Sequence, residues 1–144
     1  MKVLQLTNTN IPAVVVDANM PLGITTVKYP LESCGCNELF TIASSNADTV
    51  MVNRGGIYRV DYSASVVATD AGIVTLSIIV NGTSRYTVSA TATAAGTVNL
   101  TFPIEIYLPC NCPSTPNNIP AYIQIKNTGV ALTSGTSNLI ITKC

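Results

Sequence analysis

An all-β antiparallel sandwich or jelly roll is the fold class this sequence predicts, on three observations. Apolar residues alternate along successive strands within residues 55–108, the period of a strand with one buried face. Turn signals recur every eight to twelve residues, the spacing of a sandwich. No stretch carries a helical period with caps. At 144 residues the chain fits one domain.

The elements follow in order. Val3-Leu4-Gln5-Leu6 reads as a short strand and Ala13-Val14-Val15-Val16 as a second apolar run. Pro12, Pro21, Gly23 and Pro30 interrupt anything longer. Residues 1–33 therefore read as an N-terminal arm packed on this domain or on a partner, with the main domain over 34–144. Glu38–Ala43 and Thr49–Asn53 read as short strands around the turn Ser44–Asp48. After Gly55-Gly56, residues Tyr58, Val60, Tyr62, Ala64 and Val66 share one face, with Arg59, Asp61, Ser63 and Ser65 on the other. Asp70-Ala71-Gly72 turns the chain into a strand with Val74, Leu76, Ile78 and Val80 on one side. Ile73 and Ile79 make its other side apolar too, as in a strand covered on both faces. Asn81-Gly82 predicts a type I′ hairpin, whose two central residues need positive φ. Ser84–Thr91 returns, Ala94-Ala95-Gly96 turns, and Val98 to Leu108 alternates without a break. Pro103 lies opposite that apolar row and marks the strand as irregular or at an edge. Pro109–Pro120 reads as a long loop, Ala121–Lys126 and Asn138–Lys143 as the last strands.

Composition narrows the functional classes. Only 10% of residues are charged and 47% are apolar, and Thr, Ser and Asn stand in for charge on pleated surfaces. Little repulsion separates copies, which favours self-association. Formal net charge is zero with no basic face, so no nucleic-acid partner is expected. No apolar run approaches the roughly 20 residues of a spanning helix, and Gln5 breaks the only start of a leader, so no membrane partner is expected and synthesis in the host cytoplasm is. With no histidine, the common triads and the neutral-pH acid–base group are missing. The seven acids form no pattern, and no enzyme activity or cofactor is expected.

The middle block carries a resemblance. Gly56-Ile57-Tyr58-Arg59-Val60-Asp61-Tyr62, then Leu76-Ser77-Ile78-Ile79-Val80-Asn81-Gly82, then a return and a long alternating strand, resembles the trimeric jelly roll of the tumour-necrosis-factor and complement-globular-head type. More narrowly it looks like the small versions that decorate tailed-phage capsids as head fibres or auxiliary capsid proteins. The resemblance spans about residues 38–143 and implies a non-catalytic homotrimer on the virion surface, held to the major capsid protein through residues 1–33. It departs where a tight turn is common in the family: Leu108 is followed by Pro109-Cys110-Asn111-Cys112-Pro113. The implied sheet sets strands 38–43, 138–143, 57–67 and 98–108 side by side. That would bring Cys34 and Cys36 near Cys144, one strand spacing of about 4.8 Å away, with Cys110 and Cys112 roughly 14 Å off.

Three readings of the five cysteines stand. Cys34, Cys36, Cys110 and Cys112 could form a four-thiolate zinc site, although Cys-x-Cys is not the usual spacing. Disulfides are a second reading, with one thiol left over, and reduced, buried thiols a third. Ile73, Ile79, Tyr107 and Tyr122 are candidate subunit contacts, tyrosine being favoured at interfaces. Two alternatives to the virion role remain. One is a module binding host-surface glycans through turns such as Asn117-Asn118 and Thr133-Ser134-Gly135-Thr136. The other is a bacterial surface or spore-coat jelly roll.

Overall fold

The computed structural model describes residues 2–23, 25–29, 40–42, 47–53, 55–108 and 121–143. Among these described residues ten strands form two five-stranded antiparallel sheets. They are β1 (Lys2–Ile11), β2 (Thr25–Tyr29), β3 (Phe40–Ile42), β4 (Val50–Val52), β5 (Gly56–Ala68), β6 (Gly72–Val80), β7 (Thr83–Ala92), β8 (Thr97–Leu108), β9 (Ala121–Asn127) and β10 (Leu132–Lys143). Sheet one runs β2-β1-β10-β5-β8 and sheet two β3-β4-β9-β6-β7. The inner faces meet in one apolar core, the arrangement of a jelly roll.

The alternating block behaves as its pattern dictates. Tyr58, Val60, Tyr62, Val66 and Ala68 of β5 are buried, as are Leu100, Phe102, Ile106 and Leu108 of β8. The two strands pair from Gly56↔Leu108 to Val67↔Thr97. Pro103 is accommodated because β8 is the edge of sheet one, where a missing N–H need not break a ladder. At the β6–β7 turn Asn81 and Gly82 both have positive φ, 50° and 81°, as the type I′ hairpin requires.

Three expectations need correction. The described part of residues 1–33 is not a separate arm. Strand β1 lies inside sheet one, paired with β10 from Lys2↔Lys143 to Asn8↔Ser137 and with β2 on its other side. Leu4, Leu6, Ile11, Met20 and Leu22 are core residues, so 1–33 and 34–144 share one core. Secondly, β3 lies in sheet two against β4, and β1 takes the place beside β10 expected for segment 38–43. Thirdly, Thr133-Ser134-Gly135-Thr136 belongs to β10, past a register shift between Leu132 and Ser134. A Cβ on Gly135 would sit 2.7 Å from the Ser65 carbonyl oxygen, so the glycine lets this polar stretch pack as a strand. Within the apolar run Ala13–Val16, Val14 bridges to Leu132.

Candidate functional site

The core is organised around aromatic rings that lead to the surface. Tyr62 of β5 packs on Phe102 of β8 with ring centroids 5.4 Å apart. Phe102 then meets Tyr86 of β7 at 5.8 Å. Strands β7 and β8 are the edges of the two sheets on one side of the sandwich. Tyr86 is paired with core-facing Ile78, yet it remains 45% exposed. An aromatic ring that covers the core on one side and faces water on the other marks an open flank. Val88, Val98 and Ile104 border the core as half-buried residues of the same two strands. Strand pattern places Tyr86 in an element without singling it out as a contact. The hairpin turn alone would set Arg85 opposite Ile78; a register shift between Ile78 and Ile79 skips Arg85 and aims Tyr86 inward, and no sequence pattern records it.

Burial pushes the Tyr62 phenol well above the ordinary tyrosine range, and nearby Ser137 opposes the shift only in part. Both hydroxyl oxygens are buried and neither has a hydrogen bond of good geometry. The pair is a polar defect in the core. Among the described residues no three His, Cys, Asp or Glu side chains gather in a way that could hold a metal ion. No described helix is long and apolar enough to cross a membrane.

The candidate contacts fall in different places. Tyr107 is 64% exposed on the outer face of sheet one, where it pairs with Ile57, itself 50% exposed. Tyr122 lies on the outer face of β9, 39% exposed. Its N–H donates to Asn81 Oδ1 at 2.9 Å, and its carbonyl accepts from Asn81 N–H at 3.0 Å. Ile73 is exposed at the start of β6. Ile79 is only 7% exposed in the single chain, so its outward position is already covered without a second copy. Tyr107 and Ile73 sit at opposite ends of the sandwich.

The Ile73 end is held by Asn127, which is fully buried. Its Nδ2 donates to the carbonyls of Val130 at 2.9 Å and Val15 at 3.4 Å, and its Oδ1 accepts from Gly129 N–H at 3.2 Å. Its backbone N–H donates to Ala18 and its carbonyl accepts from Asp17. Val130 N–H in turn donates to the Ile73 carbonyl. One side chain thus ties its own turn to the segment of Val15, and Val15 and Val16 project from that segment with exposures of 67% and 49%.

At the other end, β2 stops at Tyr29, β3 begins at Phe40, β8 stops at Leu108, β9 begins at Ala121 and β10 stops at Lys143. The Phe40–Tyr58 ring contact, at 6.1 Å, joins the two sheets there. The described residues that flank the cysteine-bearing segments therefore all lie at this end. Cys34, Cys36, Cys110, Cys112 and Cys144 themselves, like Asn117 and Asn118, lie outside the described residues.

No protein-family model matches the chain, and no curated protein matches it in sequence. Solved structures do share its fold. Eiger, a TNF from S. frugiperda, is similar over 100% of this chain and 92% of its own, with a TM-score of 0.72 at 11% identity. The globular domain of zebrafish complement 1qA matches 99% of this chain and 97% of its own, with a TM-score of 0.63 at 10% identity. The PRD1 vertex protein P5 matches 99% and 96%, with a TM-score of 0.57 at 15% identity. The chain therefore has the jelly-roll fold that these tumour-necrosis-factor, complement and vertex proteins share. Identities this low establish a shared fold alone.

Proposed function

We propose that the protein is a non-catalytic structural component of a tailed-phage particle, a homotrimeric capsid decoration or head-fibre protein on the virion surface. The observation that carries this reading is the open flank of the sandwich. Tyr86 lies half in water over Phe102, with half-buried apolar residues of β7 and β8 beside it. A domain with so little charge gains by covering such a surface, and a second copy of itself is the available cover. Tyr107 and Ile57 supply a separate apolar patch to receive it. The fold shared with a vertex protein supports the particle context.

Attachment to the major capsid protein stays with residues 1–33 on this reading, but at a narrower place. Strand β1 and the core residues around it are committed to the sandwich. The turn that presents Val15 and Val16 is exposed, apolar and held rigid by Asn127. The double substitution Val15→Asp with Val16→Asp should leave the free protein folded and assembled while removing it from particles. Retention on purified particles at wild-type occupancy would refute attachment at this turn. A native mass corresponding to one chain would refute the trimer.

Pairing among Cys34, Cys36 and Cys144 remains part of the proposal, on changed grounds. The link must now run from beyond Tyr29 to beyond Lys143, two strand spacings or about 10 Å apart, which the residues between can span. Mass spectrometry after alkylation without reduction decides it: five alkylated cysteines would exclude any disulfide.

A further inference from the structure

Of the exposed tyrosines among the described residues, Tyr86 and Tyr107 lie on the assembly surfaces and Tyr122 does not. It stands on the outer face of sheet two, on β9, two strands or about 10 Å in from the β7 edge. Ile123 and Ile125 of β9 point into the core and are fully buried. Alternation therefore turns Tyr122, Gln124 and Lys126 outward, a ring, an amide and an ammonium at steps of about 7 Å. The backbone of this strand is paired with β6 on one side and with β4, then Asn19, on the other. Side chains, not ladder groups, are what it offers a ligand.

Each of the three has a prepared surround. Tyr122 stands beside Met51, its register partner on β4. Gln124 Nε2 donates to Thr49 Oγ1 at 2.8 Å, and Thr49 Oγ1 donates to Asp48 at 3.0 Å. That chain orients the Gln124 amide and leaves its Oε1 to accept. Lys126 is in register with Ser77. Ser77 Oγ, almost fully buried, shares hydrogen bonds with Thr87 Oγ1 at 3.0 Å and Thr128 Oγ1 at 3.1 Å, and each hydroxyl can rotate to donate or accept. Two acids border the face, Asp48 beside Thr49 and Asp17 in the turn before Asn19. Among the described residues no carboxylate lies within ion-pair distance of Lys126.

The order of these groups defines a ligand. An uncharged ring suits the C–H face of a pyranose. Amide and hydroxyl groups suit partners that also donate and accept. An ammonium without a carboxylate suits one anion. A peptide strand would find no open ladder to extend. A polyanion would meet one cation in about 13 Å of strand, with Asp48 and Asp17 beside it.

We propose that the outer face of sheet two binds a short oligosaccharide carrying a single carboxylate. A neutral ring lies on Tyr122, hydroxyls meet Gln124, and the carboxylate meets Lys126 with Ser77 and Thr128 beside it. This goes beyond the structural role and does not depend on it. The face stays open on assembly through the β7–β8 flank and the outer face of sheet one. One stacked ring and one exposed charge pair give millimolar affinity per site, which several copies on one particle raise by avidity.

The test uses the intact assembled protein, labelled for NMR and titrated to about 10 mM, well above a millimolar dissociation constant. The probes are 3′-sialyllactose and aldotriouronic acid, each with its neutral counterpart, lactose or xylotriose. At least one acidic sugar should give saturable shifts at the Met51 methyl and the Gln124 side-chain amide. It should bind about three- to fivefold tighter than its counterpart, an advantage that shrinks with added salt. Lys126→Gln should remove the preference and leave neutral-sugar affinity unchanged, and Lys126→Arg should keep it. Tyr122→Ala should weaken both sugars roughly fivefold, with Tyr122→Phe retaining them. Unchanged thermal unfolding of the Lys126 variants separates a lost contact from a lost fold. No saturable shift with either acidic sugar overturns the proposal, as does a preference that survives Lys126→Gln. Tighter binding of a heparin tetrasaccharide than of either singly charged sugar also overturns it. A soluble paramagnetic agent must broaden the Gln124 side-chain signals. If it does not, a second copy covers the face and the proposal falls.

Discussion

Two buried polar residues show how much a single side chain decides here. The Tyr62 phenol is enclosed without a good hydrogen bond, and burial raises its ionisation above the usual range. Below the unfolded-state value of 10.0 both states keep the proton, and stability is independent of this group. Above it the unfolded chain ionises first, so stability falls with rising pH by up to about 1.4 kcal/mol per unit. Tyr62→Phe should remove that alkaline slope. At neutral pH it should also be neutral or stabilising by about 1 kcal/mol, because it deletes an unsatisfied group. Urea unfolding of both proteins at neutral and alkaline pH checks both parts, and a retained slope would assign it to another tyrosine. Asn127 is the opposite case, since its amide is satisfied on three sides. Asn127→Ala should cost about 2–3 kcal/mol by leaving buried carbonyls and an N–H unpaired, a loss measurable in the same assay. Sequence alone shows Asn127-Thr128-Gly129 as a turn. That the side chain also clamps Val15 depends on a contact 112 residues away in sequence, which no local pattern records.

Among the elements, legibility follows how much of each strand's identity lies in its own residues. Strands β5, β6 and β8 alternate apolar and polar side chains because one face is buried, and pattern alone finds them. The Asn81-Gly82 hairpin is legible because positive φ restricts residue choice. A Cβ added at Gly82 would meet only open space, but the φ there is +81°. Gly82→Ala should therefore cost about 1 kcal/mol through backbone strain alone, seen as a lower unfolding midpoint with unchanged cooperativity. Strand β1 is only half legible. Leu4 and Leu6 signal it, but Thr7-Asn8-Thr9-Asn10 do not, because Thr7 and Asn8 are held by pairing with β10 rather than by apolar burial and Thr9 and Asn10 fall in a register shift. The last strand reads as too short for the same reason at Thr133–Ser137. Which strand pairs with β10 is a question of topology, and the apolar content of 38–43 cannot answer it. The consequence is testable. Deleting residues 1–33 removes a central strand and several core side chains, each worth roughly 2 kcal/mol of burial, so the truncated chain should be unfolded. A cooperative unfolding transition in that fragment would restore the separate-arm reading.

For the whole molecule, the decisive question is how copies meet. Tyr86 on the open flank and Tyr107 with Ile57 on the outer face of sheet one are different surfaces. If one docks on the other, the contact is heterologous, and such contacts close into rings when the rotation allows. Each subunit then gives one surface and receives with the other. Tyr86→Glu and Tyr107→Glu should each stop ring closure, because a carboxylate would be buried without a partner, and each should leave a folded single chain, since both positions are solvent-exposed in it. Ile79→Lys is a poorer probe, because Ile79 is already covered within one subunit and the lysine would disturb the fold itself. Mixing the two glutamate variants gives the sharper result. The Tyr86→Glu chain keeps an intact receiving face, and the Tyr107→Glu chain keeps an intact flank. One good contact can form between them, and the ring cannot close. Native mass spectrometry should therefore show heterodimers in the mixture, single chains in each variant alone, and trimers only in the wild type. Trimers from either variant would move the subunit contact elsewhere. Homodimers from one variant alone would mean that its remaining surface pairs with itself, an isologous contact that cannot generate a threefold ring.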